Sequence, residues 1–200
     1  MVLLSWVISY LIGSISFSYL IAKKVAGIDI RSHGSGNAGA TNTLRVLGKG
    51  PGIAVLILDA LKGLGAMGIT HLITGDPTAY AVAGLFVIAG HNWPIYFGFR
   101  GGKGIATTLG VVLGFSPLAF LIGAVLAVLV IAITRYVSLG SLVLVTAMPI
   151  AIYFFDKPIA FFWTSLVIAI FAYVRHYNNI RNLLAGNERK LGDKSQRKLG

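Results

Sequence analysis

Residues 117–133 read PLAFLIGAVLAVLVIAI, an apolar run without a charged side chain, entered through Ser116 and left at Thr134-Arg135. A helix in that run has no polar stripe to turn toward water. It comes close to the ~20 apolar residues needed to cross about 30 Å of hydrocarbon. Apolar runs also fill residues 2–22, 52–74 (which carries Asp59 and Lys62), 78–90, 105–115, 139–155 and 158–173. Gly75-Asp76-Pro77, Phe115-Ser116-Pro117 and Asp156-Lys157-Pro158 punctuate them as turns. The runs 78–90 and 105–115 are short, so they extend into flanking loops, tilt or re-enter the bilayer. The expectation is an all-α integral membrane protein with about seven transmembrane helices, six being the fallback. Residues 1–193 read as one polytopic domain and 194–200 as a basic C-terminal tail.

Composition agrees. Hydrophobic residues make up 56% of the 200 and charged residues 12%, with a mean hydropathy of +0.82. Soluble domains carry roughly a quarter charged residues, so lipid has to serve as solvent here. The 25 glycines suit close helix packing and irregular ligand loops. Cysteine is absent, which excludes disulfides, cysteine metal sites and a thiol nucleophile. The first run lacks a basic leader and is followed by more apolar segments, so it reads as a retained span rather than a signal peptide.

A net charge of +11 invites a nucleic-acid reading, but the basic residues lie between the apolar runs. With seven spans and the N-terminus outside, 15 of the 17 Lys and Arg fall on the inner side, Lys157 outside and Lys62 within a span. The positive-inside rule therefore sets the C-terminus in the cytoplasm. Nucleic acid is not an expected partner; the bilayer is.

Four polar segments carry the candidate chemistry, three of them loops on the inner side. The first is His33-Gly-Ser-Gly-Asn-Ala-Gly-Ala-Thr-Asn42 with Arg45. Small residues let backbone N–H groups converge on an anion. Ser35, Gly36, Asn37, Thr41 and Asn42 offer further contacts, and Arg45 a bidentate one. A helix starting near Thr41 would add its N-terminus. Residues 34–39 fit G-x-G-x-x-G, but no strand precedes them, so the dinucleotide reading fails. The second is Asp59 with Lys62, three apart on one helix face inside a span. An ionic pair at that depth serves either function or a structural salt bridge.

The third is His91-Asn-Trp-Pro-Ile-Tyr-Phe-Gly-Phe-Arg-Gly-Gly-Lys-Gly-Ile-Ala-Thr107, with aromatics suited to the headgroup level. Gly102, Lys103 and Gly104 form a second anion nest. It is not a Walker loop, because Gly104 takes the Ser/Thr position. His91 is either structural or a base. The fourth is Arg175-His176-Tyr-Asn-Asn-Ile-Arg-Asn182 with Glu188, where Arg175, His176, Asn179 and Arg181 are placed to reach phosphate. From Arg189 onward the chain reads as a basic juxtamembrane tail. Arg135, Ser138 and Ser141 add a smaller patch. His71 and Asp76 have acyltransferase-like spacing but sit apart from every other polar cluster.

Two basic glycine loops and a His/Asn/Arg segment on one face imply a site for two phosphate-bearing molecules. Six acidic residues leave no cytoplasmic cluster for paired metals. The competing reading is a small transporter or channel for an anionic solute, which requires inverted repeats; the two halves show no convincing repeat.

Ser35-Gly-Asn-Ala-Gly-Ala-Thr-Asn42, His91-Asn-Trp-Pro with Gly-Gly-Lys-Gly-Ile-Ala-Thr107, and Arg175-His-Tyr-Asn-Asn-Ile-Arg with Glu188 resemble the three signature segments of the bacterial PlsY-type acyl-phosphate:glycerol-3-phosphate acyltransferases. The resemblance covers nearly the whole chain. It implies acyl transfer from acyl phosphate to the 1-hydroxyl of sn-glycerol 3-phosphate, in the bacterial inner membrane, with the active site facing the cytoplasm. No metal or organic cofactor is implied, and nothing sets the oligomeric state. On this reading Ser35, Arg45, Lys103, Asn179 and His176 hold phosphate. Gly36, Asn37, Thr41, Asn42, Gly102, Gly104 and Ser141 complete the cradle. His91 orients or deprotonates the acceptor hydroxyl, unless a substrate phosphate does so. Asp59 and Lys62 support the site, and Glu188 anchors a basic partner.

Overall fold

The computed structural model describes residues 1–155 and 158–193. Lys157 and the tail 194–200, both used in the charge argument, lie outside the described residues. Among the described residues all regular structure is helical. The α-helices are α1 (Val2–Gly13), α2 (Phe17–Ala26), α3 (Ala40–Leu47), α4 (Lys49–Thr74), α5 (Pro77–Asn92), α6 (Ile105–Phe115), α7 (Pro117–Thr134), α8 (Val137–Phe154), α9 (Ile159–Arg175) and α10 (Tyr177–Leu184). Two single 3₁₀ turns, Ile30–Ser32 and Ile95–Phe97, sit in the loops.

Two of the three turn signals act as caps; the third includes Asp156 and Lys157, which lie outside the described residues. Asp76 accepts the Thr78 N–H at 2.8 Å with Pro77 in the first turn of α5. Ser116 accepts the Ala119 N–H with Pro117 opening α7. Both satisfy amides that a helix start leaves bare.

Hydrophobic burial does not drive helices together in lipid; close packing does. Glycine permits it here. A β-carbon at Gly110 of α6 would come within 1.9 Å of the Ala60 carbonyl oxygen on α4. One at Gly90 of α5 would come within 2.2 Å of the Tyr10 carbonyl oxygen on α1. The α1–α5, α4–α6 and α7–α8 pairs are the most intimate in the bundle. Phe115 stacks on Phe161 at 4.6 Å in the core, while Leu118, Leu121, Val125 and Leu129 of α7 face outward, toward lipid.

Among the described residues, four segments are long and apolar enough to cross a membrane: Val2–Ala26, Lys49–Thr74, Pro117–Thr134 and Val137–Phe154. A fifth is counted if α9 and α10, bent by 62°, form one span. The first span, expected over 2–22, is kept and reaches Ala26, but it is not one continuous helix. The helix breaks between Gly13 and Phe17, and α2 continues to Ala26. The run 78–90 gains two residues at its end, so α5 carries His91 and Asn92 in helix rather than loop. α6 keeps the expected bounds, and its 11 residues rise only about 16 Å, half a bilayer. Its N-cap is Gly104, and with Gly101, Gly102 and Gly104 buried the second glycine loop sits inside the bundle.

Candidate active site

A cavity of about 910 Å³ opens among α3, α4, the 99–106 segment, α7, α8 and the chain after α9. The first glycine loop forms one wall. Gly34 and Gly36 take left-handed φ values of +62° and +74°, one on each side of exposed Ser35. A β-carbon at Gly34 would meet Asn42 Oδ1 at 2.3 Å, so the turn closes only on glycine. α3 begins at Ala40, one residue before the sequence expectation, and its first amides add to the cradle.

Asn42 departs from its expected role. It is buried; its Oδ1 accepts the Ser35 N–H at 2.8 Å and its Nδ2 donates to the His33 and Ile30 carbonyls. All its polar atoms are engaged by the loop, so it shapes the cradle rather than touching a ligand. Arg45 of α3 lines the cavity without such ties. Burial and then the neighbouring Arg189 charge lower its pKa, yet a guanidinium stays cationic at any physiological pH.

The second loop forms the opposite wall. The Gly102 N–H donates to the His91 carbonyl at 3.1 Å. Arg175 Nε and Nη2 donate to the Gly102 carbonyl at 3.1 and 2.8 Å, and Nη2 reaches Gly101 at 3.3 Å. Arg175 lies over the Trp93 ring at 5.7 Å. Its fork is therefore committed to the loop, which corrects its placement among the phosphate ligands. Phe99 holds a left-handed φ of +59° at the cavity edge, a region bulky residues seldom occupy.

Lys103 projects from this loop and donates to Asn179 Oδ1. Asn179 Nδ2 donates to Glu188 Oε1 at 2.6 Å, and Ser138 Oγ donates to the same oxygen at 2.7 Å. Glu188 thus holds two neutral partners and influences Lys103 and Arg45 only through its charge. The expected direct basic partner is not among them. Burial pushes the Lys103 ammonium down to about 8; Glu188 opposes this, while Arg175 and Arg45 reinforce it. His176 is buried, and its Nδ1 donates to the Ala172 carbonyl at 2.8 Å. In the neutral ring that leaves Nε2 bare. Ser141 lines the cavity with its hydroxyl donated to Val137.

Arg181 is out of place for the site. It is exposed, lies over Tyr177, and lines a shallow surface hollow beside α10. The chain after α10 does the reverse of a free tail. Asn187, Glu188 and Arg189 line the cavity. Arg189 points to the Gly34 carbonyl at 3.5 Å, and Arg135 fastens the segment by donating to Leu191 at 2.6 Å. Sequence reasoning missed Arg189, although its position next to Glu188 was the available signal.

Beneath the second loop lie the ionic groups of the spans. Lys62 contacts Asp59 Oδ1 at 2.7 Å, as its spacing predicts, and also the Ile15 carbonyl at 2.7 Å and His91 Nδ1 at 3.0 Å. Asp59 and His91 are buried and line the cavity. His71 is exposed at the far end of α4, edge-on to Tyr80, and away from it.

The cavity has one more feature. Leu56 of α4, Leu109 of α6, Val128 and Ile131 of α7 and Leu144 of α8 carry it outward as an apolar arm.

The family model described as "Glycerol-3-phosphate acyltransferase" matches residues 3–186. A glycerol-3-phosphate acyltransferase of Halalkalibacterium halodurans is 53% identical over 96% of this chain and 98% of its own. One of Shouchella clausii is 54% identical over 92% of this chain and 93% of its own. The crystal structure of PlsY, an integral membrane glycerol 3-phosphate acyltransferase, in its glycerol 3-phosphate form superimposes with a TM-score of 0.90 at 38% identity, covering 96% of both chains. Its lysophosphatidic acid form gives 0.87 at 37% identity, over 96% of this chain and 95% of that one.

Proposed function

This chain belongs to the glycerol-3-phosphate acyltransferase family, and from that premise we propose that it moves a fatty acyl group from acyl phosphate to the 1-hydroxyl of sn-glycerol 3-phosphate. Lysophosphatidic acid and inorganic phosphate leave, an opening step of phospholipid synthesis. The observation that carries the reading is a single cavity with two anion cradles and an apolar arm. Two cradles suit two phosphates, and the arm suits an acyl chain lying between helices.

Ser35, Gly36, Asn37, Thr41, Arg45 and the first amides of α3 hold one phosphate. Lys103 and the Gly104 backbone hold the other; Asn179, which bridges Lys103 and Glu188, aims the ammonium, and His176 and Ser141 line that pocket. Asn42, Arg175 and Glu188 keep these groups in place. An acyl phosphate is a mixed anhydride, already activated. The acceptor oxygen attacks the acyl carbon, the bond from that carbon to the phosphate oxygen breaks, and the electron pair leaves with phosphate. The hydroxyl proton ends on the released phosphate, so no acyl-enzyme is needed. Catalysis rests on holding both substrates in reach and on cations facing the growing negative charge.

The distribution of Lys and Arg supports an N-terminus outside, a cytoplasmic C-terminus and seven passes, with α5 and α6 as the short ones. The cavity then opens to the cytoplasm of a bacterial cell at its inner membrane. The test is incubation of purified protein in detergent with radiolabelled glycerol 3-phosphate and either palmitoyl phosphate or palmitoyl-CoA. Labelled lysophosphatidic acid from the acyl phosphate alone is the expected result. Product from the CoA ester would overturn the donor assignment, and none from either would overturn the reaction.

A further inference from the structure

Lys62 and Asp59 are buried within α4, where ionised groups are costly and call for a reason. Their surroundings supply one. The Lys62 ammonium hydrogen-bonds two groups, the Ile15 carbonyl in the break between α1 and α2 and His91 Nδ1, and pairs as an ion with Asp59 Oδ1 at 2.7 Å. An ammonium has three N–H donors and no acceptor, so the ring nitrogen facing it must bear a lone pair. Asp59 does not compete for that nitrogen: the 3.6 Å from Asp59 Oδ1 to His91 Nδ1 is too long for a hydrogen bond. The ring hydrogen therefore sits on Nε2.

That second edge of the ring is turned to the cavity wall. A β-carbon at Gly102 would fall 2.0 Å from His91 Nε2 and 2.8 Å from the Ala38 carbonyl oxygen. Glycine at 102 thus leaves Nε2 uncovered beside the loop that bears Lys103, on the side where the first loop also arrives. His91 lines the cavity there, and its backbone carbonyl already holds the Gly102 N–H. His176, with Nδ1 tied to Ala172, presents the opposite arrangement.

We propose that Lys62 locks His91 as the Nε2–H tautomer, making His91 a hydrogen-bond donor to an anionic substrate oxygen between the two glycine loops. It is then not the base that deprotonates the acceptor hydroxyl. Lys62 is a positioning residue, and Asp59 balances its charge. The role in catalysis rests on the acyl transfer proposed above; the tautomer does not.

The experiment has two arms on the full chain in detergent. In the first, ¹⁵N-histidine spectra read the tautomer, with His91→Gln used to assign the His91 signals among the four histidines. A hydrogen on Nε2 and a bare Nδ1 are expected. In Asp59→Asn with Lys62→Met, which removes both charges so that neither is left buried alone, the hydrogen should redistribute to Nδ1. A native Nδ1–H or an imidazolium at neutral pH would overturn the proposal, as would a tautomer unchanged in the double variant. In the second arm, His91→Ala should lose about 10²–10³ in kcat/KM, the usual loss of one donor to an anionic centre. His91→Gln, which keeps an N–H but cannot take a proton, should stay within about tenfold of the unsubstituted chain. Glutamine as damaging as alanine, in protein with an unchanged melting temperature, would restore the base and sink the donor. If the unsubstituted chain made no lysophosphatidic acid, the proposed reaction would fail while the spectra still decided the tautomer.

Discussion

The two glycine-rich loops reach similar anion chemistry by opposite routes. Residues 33–39 are braced from within their own stretch. Asn42 lies seven positions beyond Ser35 and ties Ser35, His33 and Ile30 together. Residues 98–104 are braced from afar, by the His91 carbonyl, by Arg175 at a separation of 73 positions, and by Asn179 at 76. An anion cradle can thus be written into ten consecutive residues or assembled only when helices pack. Damage to the first should appear as lost local folding, and damage to the second as misplaced charge.

The sharpest test of that contrast begins with the cations. Lys103→Ala and Arg45→Ala should each lower kcat/KM by about 10²–10³ in steady-state acyl transfer. Near-native rates in both would dissolve the two-cradle map. Arg175→Met keeps the apolar stem and removes the fork. It should cost about 10² in kcat/KM through displacement of the Gly101–Lys103 backbone, with little change in thermal melting. Asn42→Ala should do the reverse, lowering stability by about 1–3 kcal/mol, because it leaves the Ser35 N–H and two carbonyls without their partner. The melting temperature should fall accordingly. If Arg175→Met melted early and Asn42→Ala did not, the loops would have to exchange roles.

A pH titration reads the second cradle alone. Lys103 carries its proton below about 8 and loses it above. Affinity for an anionic substrate should therefore be full near neutrality and drain as pH rises through 8. By mass action the fall is about tenfold between pH 7 and 9. Lys103→Arg should flatten that profile, because a guanidinium does not titrate there. The smallest effects belong to the strap after α10. Glu188→Gln keeps an acceptor for Ser138 and Asn179 but loses its charge beside Lys103, so the Lys103 titration should shift to lower pH. Arg189→Ala removes an exposed cation and should raise KM by no more than about fivefold.

The sequence told more about the first loop than about the second. Glycines at 34 and 36 around a serine, with Asn42 close behind, announce a curled backbone because every participant is local. Residues 98–104 announce a basic nest equally well, but not that Arg175 is spent on its carbonyls while Lys103 is presented to the cavity. Arg175, Arg181 and Arg189 look alike in the chain. One is a brace, one lies on the surface and one reaches the cavity rim, and the distinction comes from where α9 bends into α10.

The chain alone determined its residence in a bilayer, most of the helix positions and the presence of anion loops. Run length, charge placement and small-residue turns are properties of neighbouring residues. Tertiary structure decided the break in the first span, the bracing of the second loop by Arg175, and the use made of Lys62. A charged side chain at membrane depth takes its role from the groups around it: Asp59 is local to α4, but the Ile15 carbonyl from the α1–α2 break and His91 from α5 reach Lys62 only after the helices have packed.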